Sequence, residues 1–430
     1  MALSLLAVLA AAALVVAQTS DPCTVIHSAD SDDSQAVYTT ISSCPAGQPI
    51  VFAPNTTYNI FTPLVLNSSD LTLSIQGNLS LPTNITQVQA AVNASSNGFW
   101  FYFTGSRVNV TGSPDPYNGW IESHGQQWWD ASNQVARPHL WGFAVDGGYM
   151  YSLKFLQPVA WTVSLSGANN VYVGNILIDA RSTGGFPFNT DGFDATGSNL
   201  LIEDSVIWNG DDAFAVGQNS IGSTNITFRR AFVGFQSHGL SIGSLGKDPA
   251  EPANVSDILV EDVFLENTLY AARFKSWAGG TGLAKNVMYR NIGVKNVTFP
   301  LYLTQSYVDQ NSPGALRVNN ASVLMQNFTY ENFFGDINTF HPGDGSCVTD
   351  PCWYRFLLPV FRPYYEPGAD GTQAAILRCN ANACSDFTIR NVHLRPQSGV
   401  PATILCNNPP VDSRDLGIVC QNGTFVETGQ

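Results

Sequence analysis

Four short motifs in the middle of the chain contain residue types that transfer protons and bind anions. They are NTDGFD at 189–194, GDD at 210–212, SHGLSIGS at 237–244 and RFK at 273–275. If Asp191, Asp211 and Asp212 lie together, their carboxylates cannot all ionise freely, so at least one pKa should rise. A carboxylic acid beside a carboxylate is the pair that hydrolyses a glycosidic bond. The motifs therefore predict acid–base hydrolysis, provided that the fold brings them together.

The cations and the last aspartate of the first motif each have an interpretation of their own. Arg273 and Lys275 are two positions apart, which on a strand places both on one face, where they could hold an anionic group. We expect Asp194 to be structural, with its side chain facing away from Asp191. In the alternative interpretation the aspartates form turns, His238 is a buried hydrogen-bonded histidine, and the cations lie on a solvated edge. A common register of all the motifs argues against that alternative.

A nine-residue pattern of alternating apolar residues recurs through the same region and must position the motifs. It begins at Asn170, Asn199, Asn225, Asp257, Asn286, Ser322 and Asp386, and the first five starts are 26 to 32 residues apart. Alternation of β-branched and aromatic residues indicates strands, and strands at a near-fixed interval indicate a solenoid. We predict an all-β fold, a parallel β-helix in which residues one coil apart lie on the same face. A β-sandwich is the alternative, but it leaves the register of the motifs unexplained.

The pattern extends over most of the chain without an obvious boundary. No Pro/Ser-rich linker or charge run interrupts it, so we expect one domain over residues 18–430. Residues 18–160 predict irregular coils, with the aromatic stretches FWFYF at 99–103 and GQQWWD at 125–130. Residues 161–335 predict core coils that carry the site, and residues 336–430 predict cysteine-rich coils and loops.

The N-terminus and the cysteines indicate export. Residues 1–17 are uncharged and mostly apolar and end in a small residue, which is typical of a signal peptide, whereas a membrane anchor would need a longer run. Eight cysteines fit an oxidising compartment. Sequential pairing is our preference among the 105 possible connectivities. It joins Cys23 with Cys44, Cys347 with Cys352, Cys379 with Cys384, and Cys406 with Cys420.

The composition limits the partners of the chain. A net charge of −14 excludes duplex nucleic acid and an anionic membrane surface as partners, because both attract basic faces. Twelve Asn-x-Ser/Thr sequons favour a glycoprotein. They are Asn55, Asn67, Asn78, Asn84, Asn93, Asn109, Asn225, Asn254, Asn296, Asn320, Asn327 and Asn422. We expect a secreted monomer without metal or cofactor.

In order and spacing, the four motifs resemble the signature motifs of the polygalacturonases, family 28 of the glycoside hydrolases. The resemblance implies a right-handed parallel β-helix that hydrolyses α-1,4-linked galacturonan with inversion. Carried over by motif, Asp211 is the general acid, Asp191 and Asp212 are the bases that activate water, and His238 tunes the acid. An inverting acid and base lie about 6.5–9.5 Å apart.

The same resemblance implies the substrate contacts and the branch of the family. Its implied binding residues are Arg273, Lys275, Asn189 and Tyr307, of which the last rests on the short motif QSY. Cysteines that are common near the site in this family are replaced by Ala213 and, within a residue or two, Gln236. We interpret this as loss of a disulfide and not of catalysis. HGLSIGSLG and GQQWWD look closer to secreted fungal exo-acting members, which release monomers from the non-reducing end.

Other functions remain as alternatives. Within the family these are an endo-polygalacturonase and a rhamnogalacturonan or xylogalacturonan hydrolase. A pectate lyase would use calcium on a similar solenoid, but the chain shows no comparable calcium cluster. An aspartic protease needs two Asp-Thr/Ser-Gly triplets, and the sequence contains none. A non-catalytic solenoid that binds cell walls is the last alternative.

Overall fold

A computed structural model describes residues 21–218, 222–248, 250–307, 321–339, 371–413, 415–417 and 425. The predicted signal peptide at 1–17, the predicted pair of Cys347 with Cys352, and the sequons at Asn320 and Asn422 lie outside the described residues. Within the described part of the chain, no helix is both long and apolar enough to span a membrane.

Short strands dominate this part of the chain, with three short helices near its N-terminal end. The helices are α1 Ser34–Ser43, α2 Ile85–Ala94 and α3 Gly125–Asp130. The strands are β1 Ile50–Phe52, β2 Thr57–Asn59, β3 Leu64–Ser69, β4 Thr72–Ile75, β5 Asn78–Ser80, β6 Phe99–Gly112, β7 Trp120–Glu122, β8 His139–Tyr151, β9 Lys154–Leu156, β10 Val163–Ser164, β11 Asn169–Gly174, β12 Leu177–Asp179, β13 Phe193–Ala195, β14 Ser198–Glu203, β15 Val206–Asn209, β16 Asp212–Val216, β17 Ser223–Phe235, β18 Gly239–Leu245, β19 Ala253–Glu266, β20 Tyr270–Trp277, β21 Gly282–Val297, β22 Phe299–Tyr307, β23 Leu324–Ile337, β24 Gln373–Arg378, β25 Cys384–Pro396 and β26 Thr403–Asn407.

Each strand pairs in parallel with the strand one coil later, so the chain winds into a parallel β-helix. One face of the helix runs through β11, β14, β17, β19, β21, β23 and β25. A second face, which carries the polar motifs, runs through β10, β13, β16, β18, β20, β22, β24 and β26. The prediction of a parallel β-helix is confirmed.

Apolar side chains fill the interior because alternate residues of each strand point inward. On the motif face, Phe193 pairs with Phe214, and Phe214 pairs with Leu240. All three are fully buried. The residues that alternate with them along each strand therefore point outward, on the solvent side of this face.

Stacked asparagines mark the corner that opens the nine-residue pattern. Asn199 Nδ2 donates to Asn170 Oδ1 at 3.0 Å, and Asn225 Nδ2 donates to Asn199 Oδ1 at 2.9 Å. Farther along, Asn286 Nδ2 donates to Asp257 Oδ1 at 2.8 Å. These residues have φ near +55°, a left-handed conformation that Asn and Asp adopt at low cost. We call this stack the asparagine ladder.

The structure corrects one start of the predicted repeat. Asn327 Nδ2 donates to Asn286 Oδ1 at 2.9 Å, and Phe328 pairs with Val287, so Asn327 is the ladder residue of this coil. The start predicted at Ser322 is therefore wrong by five residues. The error arose because Asn327 also fits the sixth position of the pattern, which carries Asn291 one coil earlier.

The three helices depart from the predicted irregular strand texture of residues 18–160. Helix α2 had a readable signal, because Asn84 and Gln87 have the spacing of a capping box, and Asn84 Oδ1 accepts from Gln87 N at 3.1 Å. The stretch GQQWWD forms α3, which buries Trp128 and Trp129. Its polar side chains Gln126 and Asp130 hydrogen-bond to the loop at 182–185.

Two of the predicted disulfides, Cys23–Cys44 and Cys379–Cys384, are present. Cys406 is also disulfide-bonded, and its predicted partner Cys420 lies outside the described residues. Among the described sequons, Asn78, Asn109 and Asn296 are half-buried and the others are exposed.

Candidate active site

A cavity of about 450 Å³ opens on the motif face. Every site residue predicted from the sequence lines it: Asn189, Asp191, Asp211, Asp212, His238, Arg273, Lys275 and Tyr307. Asp194 lines it as well. The four motifs, which are separated along the chain, therefore meet at one place because they occupy successive coils.

The position of Asp194 differs from the prediction. Phe193 turns into the core, so its neighbour Asp194 turns outward and lies in register with Ser164, Ala215 and, one coil further, Ser241. This outward row is the floor of the cavity. The expectation that Asp194 faces away from Asp191 is wrong, because Asp191 precedes β13, where strict alternation does not apply.

A buried asparagine ties the two aspartate turns together. Asn209 Nδ2 lies 2.9 Å from Thr190 O, 2.8 Å from Asp211 O and 3.0 Å from Asp212 O. Thr190 Oγ1 also accepts from Gly210 N at 3.0 Å. The backbone that carries the carboxylates is thus fixed by side-chain amides and hydroxyls. Asn209 was not predicted from the sequence, although it directly precedes the GDD motif.

Asp211 and His238 form a pair at the edge of the cavity. His238 Nδ1 lies 3.1 Å from Asp211 Oδ1, which also accepts from Asp212 N at 2.9 Å. Asn189 Nδ2 donates to the other oxygen, Oδ2, at 3.4 Å. His238 is itself held because its backbone N–H donates to Asp211 O at 2.8 Å. The pair can share one proton along a fixed axis.

Asp212 is surrounded by donors. Arg273 Nη1 lies 3.2 Å from Asp212 Oδ1, Lys275 Nζ contacts Oδ2, and Ser241 Oγ donates to Oδ1 at 2.6 Å. The prediction that both cations lie on one face of a strand is confirmed by their shared partner. Ser241, which lies inside the SHGLSIGS motif, was missed as a contributor.

The carboxyl groups of the cavity fall into two classes by the direction of their pKa shifts. Burial raises the pKa of Asp191 well above its ordinary value, and the charges of Asp211 and Asp194 add to the rise. Burial and Asp212 raise the pKa of Asp194 to about 8. Asp191 Oδ1 and Asp194 Oδ2 have no hydrogen-bond partner among the described residues.

Asp211 behaves in the opposite way. Its burial favours the neutral form, but the charge and hydrogen bond of His238 outweigh it, and the pKa of Asp211 falls below its ordinary value. Lys275 and Arg273 lower it further. Burial therefore favours the protonated forms of Asp191 and Asp194, whereas the contact with His238 favours the ionised form of Asp211.

Two further side chains, Tyr307 and Arg137, contact residues of the site. Lys275 Nζ lies 5.6 Å from the ring centroid of Tyr307, whose pKa is raised by burial. Arg137, which no motif indicated, donates through Nη1 to Phe188 O at 2.6 Å and through Nη2 to Asn189 Oδ1 at 2.7 Å. Asn189 thus connects Arg137 to Asp211.

Asp211, Asp212 and His238 are also the residues that could hold a metal ion. One ligand atom from each lies within 4.8 Å of the others. These carboxylates already contact His238, Arg273 and Lys275, so a divalent cation would have to displace protein cations.

Comparison with known proteins identifies the family. Residues 55–349 match the family described as glycosyl hydrolases family 28. The chain belongs to this family. It is 46% identical over 404 residues to a probable exopolygalacturonase C of Neosartorya fischeri, covering 92% of this chain and 89% of the relative. A probable exopolygalacturonase C of Aspergillus niger is also 46% identical over 403 residues, with the same coverage.

Among solved structures, the chain is similar to an endo-xylogalacturonan hydrolase from Aspergillus tubingensis. The TM-score is 0.73 at 25% identity, covering 95% of this chain and 100% of the other. The fold and the class of enzyme, a glycoside hydrolase, follow from membership of the family. The cavity described above lies within the matched residues.

Proposed function

We propose that this chain is a secreted, exo-acting hydrolase of α-1,4-galacturonan that releases galacturonate from the non-reducing end. Its relatives are named for exopolygalacturonase activity. One observation carries the proposal. Three acid–base carboxylates and two buried cations converge in a cavity of about 450 Å³, a volume suited to a small part of a polymer. We expect the enzyme to act as a monomer.

The charge of the site supports an anionic sugar as substrate. Arg273 and Lys275 line the cavity and contact Asp212, while burial favours the neutral forms of Asp191 and Asp194. Two fixed cations are thereby concentrated at one place in a chain of net charge −14. A sugar carboxylate can contact Lys275, which lines the cavity beside Tyr307.

We assign the role of general acid to Asp211. His238 passes its proton from Nδ1 to Asp211 Oδ1 along their 3.1 Å contact, as substrate binding excludes water and disfavours the separated charges. Asp211 then protonates the glycosidic oxygen while the bond from that oxygen to the anomeric carbon breaks. His238 recovers a proton from solvent. This order of proton transfers is compatible with both the role of Asp211 as the acid and its lowered pKa.

We assign activation of water to Asp212 and Asp191. Asp212, which contacts Arg273 and Lys275, accepts the proton that water loses when its oxygen bonds to the anomeric carbon. Asp191 is neutral in the resting site, and its buried Oδ1, which lacks a partner among the described residues, is available to orient that water. Single displacement inverts the anomeric centre.

A xylogalacturonan hydrolase is the second candidate, favoured by the structural likeness to the Aspergillus tubingensis enzyme. Incubating the purified chain separately with polygalacturonate, xylogalacturonan and rhamnogalacturonan, followed by chromatography of early products, distinguishes the candidates. We expect monomeric galacturonate from polygalacturonate at the highest rate. Oligomers as the main early product would contradict exo action. Faster hydrolysis of xylogalacturonan or rhamnogalacturonan would contradict the substrate.

A further inference from the structure

One end of the cavity is lined by aromatic side chains that the catalytic scheme does not use. Trp161, Phe186 and Phe188 line the cavity in the coils up to that of Asp191, whereas Arg273, Lys275 and Tyr307 line it in coils beyond that of Asp211. The rings of Phe186 and Phe188 contact each other edge to face at 4.7 Å. Trp161 is 37% exposed, so part of its ring faces the open cavity. We call these three side chains the end wall.

The end wall stands very close to the catalytic carboxylates along the axis of the β-helix. Thr162 N donates to Asp191 O at 2.8 Å, so Trp161 belongs to the coil directly before that of Asp191. Adjacent strands lie about 4.8 Å apart, which is about the length of one sugar ring. On the other side, His238 and then Arg273 occupy two further coils beyond Asp211. The space for substrate is therefore asymmetric.

Helix α3 fixes the loop that carries the two phenylalanines. Gln126 Nε2 donates to Ser182 Oγ at 2.9 Å, and Gln126 Oε1 accepts from Thr183 N at 3.0 Å. Asp130 Oδ1 accepts from Gly185 N at 2.8 Å. A Cβ on Gly185 would lie 2.0 Å from Trp129 O, so only glycine allows this approach. The stretch GQQWWD thus serves as a support for the end wall.

The other end of the loop and the tryptophan are held separately. Arg137 binds Phe188 O and Asn189 Oδ1, which fixes the loop where it enters the NTDGFD motif. The Trp161 ring lies over His139 with a centroid distance of 4.3 Å, and His139 contacts Phe99 at 5.3 Å. Phe99 begins the FWFYF stretch. Both aromatic motifs of the N-terminal coils therefore support the same three side chains.

We propose that the end wall determines exo action: it leaves room for one sugar between itself and the catalytic carboxylates, so only a chain terminus fits. This inference rests on the proposed function and specifies the residues that give it its mode. Trp161, Phe186 and Phe188 are specificity-determining residues. Gln126, Asp130 and Arg137 are positioning residues.

The test removes the wall and leaves the catalytic groups intact. We expect the double variant Phe186→Ala and Phe188→Ala to release digalacturonate and longer oligomers from polygalacturonate, raising the early ratio of oligomer to monomer by about tenfold or more. Circular dichroism and thermal unfolding verify that the variant is folded. A folded, active variant that still releases only monomer would overturn the proposal. The single variant Trp161→Ala, tested in the same way, covers the case in which the double variant fails to fold.

A matched pair on α3 tests the positioning role. Gln126→Ala removes the contacts with the loop, whereas Gln127→Ala removes a hydrogen bond from the same helix to Thr83 O, at 2.6 Å, on its other side. We expect oligomers from the first variant and unchanged monomer release from the second. Identical product ratios in both variants would contradict the role of Gln126. Failure of the proposed function is distinguishable, because the wild type itself would then not act on polygalacturonate.

Discussion

The asparagine ladder and the floor of the cavity lie on different faces of the same coils, and their polar side chains differ in how completely they are hydrogen-bonded. In the ladder, Asn286 both donates to Asp257 and accepts from Asn327. In the cavity, Asp191 and Asp194 are buried with one oxygen each lacking a partner within the described residues. Ladder residues hydrogen-bond to their neighbours in adjacent coils, whereas in the cavity one oxygen each of Asp191 and Asp194 is buried without such a partner in the described part of the chain.

The difference separates stability from function. A hydrogen bond within the protein contributes about 1 kcal/mol to folding, and an unsatisfied buried group costs about 1–3 kcal/mol. The cavity therefore accepts a stability cost for holding Asp191 and Asp194 buried beside the other carboxyl groups. Substitutions in the ladder should reduce stability and spare activity. Substitutions of the buried carboxyls in the cavity should instead reduce activity and spare stability.

The largest expected effect is on activity, from Asp191→Asn. The amide cannot reproduce the carboxyl that orients the attacking water, so we expect kcat on polygalacturonate to fall by roughly 10²–10⁴. The free energy of unfolding at pH 7 should not decrease, because a neutral amide replaces a group that burial already holds neutral. Initial rates and chemical denaturation measure the two quantities. Wild-type kcat in a folded variant would contradict the role of Asp191.

The next effect is on the pH dependence of stability, from Asp194→Asn. The pKa of Asp194 is about 8 in the folded chain against an ordinary value of 3.8, so the folded state binds the extra proton between these values. Its contribution to stability is present below pH 3.8 and is lost as pH rises toward 8, by at most about 1.4 kcal/mol per pH unit.

Thermal unfolding from pH 4 to pH 8 tests this dependence. The wild-type midpoint should fall across the range, and the fall should be smaller in the Asp194→Asn variant. Substitution of an exposed carboxyl, such as that of Asp412, serves as the control. Asp130 is not used for this purpose because it supports the end wall. Equal slopes in wild type and Asp194→Asn would contradict the buried neutral carboxyl.

The smallest effect is expected in the ladder, from Asn286→Ala. This variant loses two side-chain hydrogen bonds and places alanine at φ +54°, so we expect stability to fall by about 2–4 kcal/mol with kcat unchanged. Asn286→Gly loses the same bonds without the backbone strain and should cost about 1 kcal/mol less. A loss of kcat in the folded Asn286→Ala variant would show that ladder and cavity are not independent.

The same two regions show what the sequence could predict. Asp191, Asp211, Asp212 and His238 were predicted together because motif order and coil spacing place them on successive coils. The fold followed from alternation, which reports directly on inward and outward faces. The start at Ser322 was predicted wrongly because asparagine occurs at both the first and the sixth position of the pattern.

The contacts that were missed depend on loops and on side-chain direction. Arg137 reaches Asn189 across 52 positions, from a segment without any periodic pattern. Asp194 was assigned to the wrong side because the strand that orients it begins only at Phe193. The pKa of Asp211 could not be anticipated either, because it depends on the 3.1 Å contact with His238 and on cations two coils away.

The role of Asp211 as the general acid can be tested with two substrates that differ in their leaving group. Rates of Asp211→Asn and Asp191→Asn are compared on polygalacturonate and on an aryl α-galacturonoside whose phenol leaves without protonation. For Asp211→Asn we predict a loss of roughly 10²–10⁴ on the polymer and a much smaller loss on the aryl substrate. For Asp191→Asn we predict comparable losses on both. If the aryl substrate instead restores the rate of Asp191→Asn and not that of Asp211→Asn, the general acid is Asp191 and its assignment to Asp211 is wrong.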